Sequence, residues 1–146
     1  MEESLEIQIQ NTFQIETKDV KQYSSLGLAY IGDSVYDLII RTIIVKQANR
    51  RVNVFHHMAS SIVKAESQAK LMHQIEDRLS EEEKAVYKRG RNTKSATSAK
   101  NADILDYRVA TGFEALIGYL YLTDRMNRIL ELVKEGLIVT GQMPKA

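Results

Sequence analysis

A chain of 146 residues, 44% of them hydrophobic, is one domain with enough apolar side chains to bury its own core. It has no cysteine, which excludes a disulfide framework, a thiolate metal site and a cysteine nucleophile. The net charge of +1 does not by itself indicate a nucleic-acid partner, and no apolar run is long and charge-free enough to span a membrane.

Residues 2–16 carry Glu2, Glu3, Glu6 and Glu16 with no base among them. An acidic start without a basic n-region is not the pattern of a signal peptide, so the expected compartment is the cytoplasm. Residues 1–18 read as an N-terminal extension, poorly ordered or loosely docked, and the alternation of Leu5, Ile7 and Ile9 allows a short strand or an arm. The folded unit is expected over residues 19–140, with a short C-terminal tail at 141–146.

The run Leu26–Val45, capped by Ser24 or Ser25 and extending to about Gln47, is apolar nearly all round a helical wheel and predicts a buried central helix. It is broken by Asp33 and the adjacent Gly32. A buried carboxylate costs several kcal/mol unless compensated, and a mid-helix glycine roughly 1 kcal/mol. The bland explanation is a capped turn between two shorter helices. Asn49–Arg51 reads as a turn, and Asn53 is expected to cap a second helix. A third helix, striped by Ala65, Ala69, Met72 and Ile75, should run through Arg78. Ser80 and Glu83 form a capping-box pattern that starts a fourth, and Gly90 reads as its stop.

Residues 88–100, with Lys88, Arg89, Arg91, Lys94 and Lys100 and no acid, read as a basic loop starting at the end of that helix. The next helix, within 103–122, repeats the break of the first: one interior carboxylate, Glu114, lies among apolar residues with Gly112 and Gly118 nearby. Asp124 is expected to cap a last helix, to about Leu137, with Ile129, Leu130, Leu132 and Val133 as its apolar side. A single proline, Pro144, and many helix formers make the fold all-α.

Two apolar helices that each carry a lone acid suggest two carboxylates facing each other across a helix packing, a common way to hold a divalent cation. Asp37 lies one turn beyond Asp33 and is a secondary candidate; its bland reading is an ion pair with Arg41. The adjacent His56 and His57 point about 100° apart on a helix, wrong for one metal, and His73 stands alone. Tyr30, Tyr36, Tyr119 and Tyr121 have helical spacing and read as core rather than as a base-stacking platform.

Three stretches, LAYIGDSVYD around Asp33, KRGRNTKSAT in the basic segment and YRVATGFEALIGYLYL around Glu114, together resemble the Mini-III ribonucleases. These are compact relatives of ribonuclease III without a double-stranded-RNA-binding domain, and the resemblance covers roughly residues 19–138. It implies the ribonuclease III endonuclease-domain fold, a helical bundle working as a homodimer whose valley accepts an RNA duplex. It also implies Mg²⁺-dependent cleavage of both strands, with Mn²⁺ as a substitute, leaving 5′-phosphate and 3′-hydroxyl ends. The role it implies is trimming of 23S ribosomal RNA precursor, with a ribosomal protein as a candidate helper. Asp33 and Glu114 would be the catalytic and metal-binding acids, and Lys88, Arg89, Arg91, Lys94 and Lys100 the RNA-backbone contacts. Two acids of the longer ribonuclease III pattern are replaced, by Ala29 and Thr111, so weaker or more hydrated metal binding is expected, with Asp37, Asp103 and Asp106 as candidate compensators. Loss of those acids leaves open a non-catalytic module that grips structured RNA. A helical dimer that scaffolds other proteins is a further alternative.

Overall fold

The computed structural model describes residues 2–93 and 103–145. Among these the regular structure is entirely helical, as the composition predicts. The helices are α1 (Leu5–Thr12), α2 (Ser25–Gln47), α3 (Val52–Val63), α4 (Ala65–Ile75), α5 (Glu81–Asn92), α6 (Asp103–Leu122) and α7 (Met126–Val139). Short 3-10 turns precede α2 (Val20–Gln22) and extend α4 (Glu76–Arg78).

The expected starts and stops hold where the signal is local. Ser24 caps α2 by accepting from the Gly27 amide at 3.0 Å. The Ser80–Glu83 capping box forms in both directions, at 2.9 and 3.1 Å. Other boundaries differ. The N-terminal segment is neither strand nor unstructured arm: Leu5–Thr12 is a helix capped by Ser4, although none of its residues is buried. Asn53 lies inside α3, whose N-cap residue is Arg51. Asp124 ends α6 instead of capping α7. Its φ of 59° is left-handed, and the next amide, of Arg125, reaches back to the Leu120 carbonyl at 2.8 Å.

Gly90 does not stop a helix either. Helix α5 continues through Arg89, Gly90 and Arg91 to Asn92, its last-turn bases complementing the negative helix end. Gly90 is there for packing: a Cβ on it would lie 2.8 Å from Ala115 Cβ and 3.0 Å from Gly112 Cα of α6.

The central helix is α6, not α2. Residues Val109–Leu120 of α6 are buried with one exception, Glu114, and the helix packs against α2, α4, α5 and α7. Helix α2 buries Leu28, Val35, Tyr36, Ile40 and Ile44 against it but leaves Leu26, Tyr30, Leu38 and Val45 exposed along one outward stripe. Overall hydrophobicity cannot separate a helix surrounded by core from one with core on one side and an apolar surface on the other. The C-terminal tail is docked: Gln47 Nε2 donates to the Pro144 carbonyl at 2.7 Å and Gln142 Nε2 to that of Ser67 at 3.2 Å.

A candidate two-carboxylate metal centre

Helices α2 and α6 meet with their backbones in contact. A Cβ on Gly32 would lie 1.8 Å from the Glu114 carbonyl oxygen, and one on Gly118 would lie 1.9 Å from that of Leu28. No side chain larger than hydrogen fits at either point, which is why both apolar helices carry glycine there. Asp33 follows Gly32 directly, and Glu114 supplies the carbonyl that Gly32 touches. The crossing that requires the glycines therefore also brings the two acids together.

Their carboxyls lie close enough for each to act on the other's proton. Asp33 is exposed, contrary to the buried position expected of it, and Glu114 is half-buried. Burial, and then the hydrogen bond to Asp33 and its charge, pushes the Glu114 carboxyl up to about 8. Glu114 therefore holds its proton more tightly than an ordinary glutamate does, which avoids two like charges in contact. A cation can replace that proton. Two hard oxygen donors at a water-accessible edge match the ligand chemistry of Mg²⁺ or Mn²⁺. Among the described residues no group of three or more His, Cys, Asp or Glu side chains is placed to hold a metal ion, so a dication at this pair would meet two acids and would need water or phosphate oxygens for the rest of its shell.

The candidate compensators do not join this pair. Asp37 makes an ion pair with Arg41 at 2.9 Å, as its bland reading has it. Thr111, at the position of a missing family acid, is buried and donates to the Tyr107 carbonyl at 2.9 Å. Asp103 and Asp106 lie in the first turn of α6. The three histidines are exposed. Tyr36 and Tyr119 are core residues, but Tyr30 is 82% exposed on the outward stripe of α2, so not every tyrosine of that spacing is core.

Of the basic residues, Lys88 and Arg89 are exposed near the C-terminal end of α5 rather than in a loop. Arg91 is partly covered, its guanidinium 5.6 Å from the centre of the Tyr87 ring and its Nε donating to Asn92 at 3.2 Å. Lys94 and Lys100 fall outside the described residues.

Sequence reasoning missed one polar neighbour. Gln68 of α4 is 2% exposed, and its Nε2 lies 3.5 Å from Glu114 Oε2. The available signal was its position inside the stripe Ala65, Ala69, Met72, Ile75, where an amide is out of place.

Residues 26–125 match the family model described as Ribonuclease III domain. The chain is 50% identical over 127 residues to a Mini-ribonuclease 3 of Enterococcus faecalis, covering 86% of this chain and 96% of that protein. It is 52% identical over 118 residues to a Mini-ribonuclease 3 of Clostridium tetani, covering 80% and 78%. A crystal structure of a protein from Fusobacterium nucleatum superposes with a TM-score of 0.74 at 30% identity, over 81% of this chain and 96% of that one.

Proposed function

The chain belongs to the ribonuclease III family, among its Mini-ribonuclease 3 members, and on that premise we infer that it is an endoribonuclease cutting both strands of double-stranded RNA in a Mg²⁺-dependent reaction. The observation that carries this reading is the meeting of Asp33 and Glu114 across the glycine crossing of α2 and α6. With Glu114 deprotonated, Asp33 and Glu114 are the residues that would hold a dication. Bound Mg²⁺ supplies an activated water and neutralises charge developing on the phosphate, and Mn²⁺ can substitute.

Lys88 and Arg89 lie on a helix end free of acids and suit contacts to the RNA backbone, which position a duplex without reading its bases. With Arg91, Lys94 and Lys100 they complete the basic segment assigned to the RNA. The exposed Leu26, Tyr30, Leu38 and Val45 on the outward stripe of α2 support a homodimer, whose twofold axis matches two sites to two antiparallel strands. The substrate assigned is the 23S ribosomal RNA precursor, with a ribosomal protein as helper and products ending in 5′-phosphate and 3′-hydroxyl. These assignments rest on the family resemblance.

Asp33→Asn tests the reading. It keeps shape and removes the charge, so duplex cleavage in Mg²⁺ should fall by at least ~10³, about 4 kcal/mol of transition-state stabilisation. RNA binding should hold, and the melting temperature should hold or, at a pH where Glu114 is ionised, rise, because the like-charge contact present there is relieved. A folded Asp33→Asn protein cutting at near wild-type rate overturns the assignment. Wild-type protein that binds the duplex in Mg²⁺ but leaves it intact favours the non-catalytic RNA-binding module.

A further inference from the structure

Gln68 occupies a core position on α4. Its neighbours on that face are Ala69, Leu71, Met72 and Ile75, all buried. Its amide nitrogen faces two acceptors, the Val63 carbonyl at 2.9 Å and Glu114 Oε2 at 3.5 Å. Because both neighbours are acceptors, the amide cannot be turned the other way without setting its oxygen against two others. The outcome is that Gln68 Oε1 is buried with no hydrogen-bond partner among the described residues. An unpaired buried carbonyl is destabilising, and an apolar side chain of similar length would avoid it. The position therefore breaks a packing rule, and it does so beside Glu114.

We propose that Gln68 is a positioning residue for Glu114. Anchored by Val63, it holds one oxygen of the Glu114 carboxylate from the α4 side and so keeps the other directed at Asp33 and at a cation shared with it. The 3.5 Å separation is at the outer limit of hydrogen bonding, and the amide acts mainly by fixing the side chain's direction. Groups that orient a metal's ligands in this way commonly govern affinity as strongly as the ligands' own surroundings. This inference rests on the reading of Asp33 and Glu114 as a metal-holding pair.

The experiment is Mn²⁺ binding followed by electron paramagnetic resonance, without RNA, for wild type, Asp33→Asn, Gln68→Met and Gln68→Leu. The melting temperature of each in chelator measures the lost Val63 bond separately. Gln68→Met is expected to bind Mn²⁺ roughly 10- to 100-fold more weakly. Its Mg²⁺ requirement for duplex cleavage should rise by a similar factor, with the rate recovering at saturating Mg²⁺. Gln68→Leu serves if the methionine variant does not fold. In the wild-type protein the Gln68 side-chain amide resonance should shift on adding Mg²⁺, a readout that needs no variant. If Asp33→Asn weakens Mn²⁺ binding but Gln68 variants do not, Gln68 is only a cap for α3 and the proposal is overturned while the metal site stands. If Asp33→Asn leaves binding unchanged, the metal site itself fails and the proposal falls with it. An amide resonance unmoved by Mg²⁺ also overturns it.

Discussion

Glu114 holds a proton that an ordinary glutamate, at 4.5, has lost, because burial and the neighbouring Asp33 raise it to about 8. The sign of the stability effect follows. Below about pH 4.5 the group is protonated in folded and unfolded chains alike and its contribution to stability is fully present. Between that value and about 8 the folded protein binds more proton than the unfolded chain, so stability falls as pH rises. Above about 8 both states are ionised and the loss is complete. In chelator, the melting temperature from pH 5 to 8.5 should therefore decline more steeply for wild type than for Glu114→Gln. Adding Mg²⁺ should raise it more at pH 8.5 than at 5.5, since the cation competes with that proton. Equal slopes for the two proteins would remove Glu114 as the titrating group. At this scale both acids were legible, since each was the misplaced charge in an apolar helix. Gln68 was not, because its partner is 46 residues away and only the packing of α4 on α6 joins them.

At the scale of elements, the α2–α6 crossing sets the tightest constraint. Gly118→Ala would place a methyl group 1.9 Å from the Leu28 carbonyl, a backbone atom that no rotamer change can move. The helices must separate, and the cost should be at or above the upper end of overpacking, about 3 kcal/mol. A urea midpoint like that of wild type would contradict the crossing. Gly32 and Gly118 stood out as breaks in apolar helices, but the main-chain contact that requires Gly32 became visible only in the crossing. Gly90 was misread as a stop because its cause, the backbone of α6 at Gly112, is distant in sequence. Asp124 was misread because a left-handed residue ending one helix has the same composition as a cap starting the next. The capping box at Ser80 was read correctly because both partners lie within one turn.

For the whole molecule, the misassigned centre is the informative error. Helix α2 leaves Leu38 56% and Val45 57% exposed on an outward stripe that also carries Ser34, Arg41 and Thr42, while α6 fills the interior. If a second copy covers that stripe, Leu38→Glu with Val45→Glu should give monomers in sedimentation at micromolar concentration and lose duplex cleavage while remaining helical. A double variant that stays dimeric would place the interface elsewhere. RNA binding is expected at the basic end of α5. Lys88→Ala with Arg89→Ala should weaken duplex binding and flatten its dependence on log salt by roughly 0.9 per lost phosphate contact. Both side chains are exposed, so melting should be unchanged. An unaltered salt slope would direct the duplex to another face.

The contact of Gly32 with the Glu114 carbonyl has an evolutionary consequence. The spacing of the two backbones that carry the acids is fixed by main-chain atoms touching main-chain atoms, with no intervening side chain whose replacement could lengthen or shorten it. Substitutions at Tyr36 or Phe113, packed edge-on with ring centres 5.0 Å apart beneath the site, would erode folding stability without changing that separation. Lineages can therefore drift in much of the interior and leave the spacing of the two backbones untouched, as long as the glycines persist.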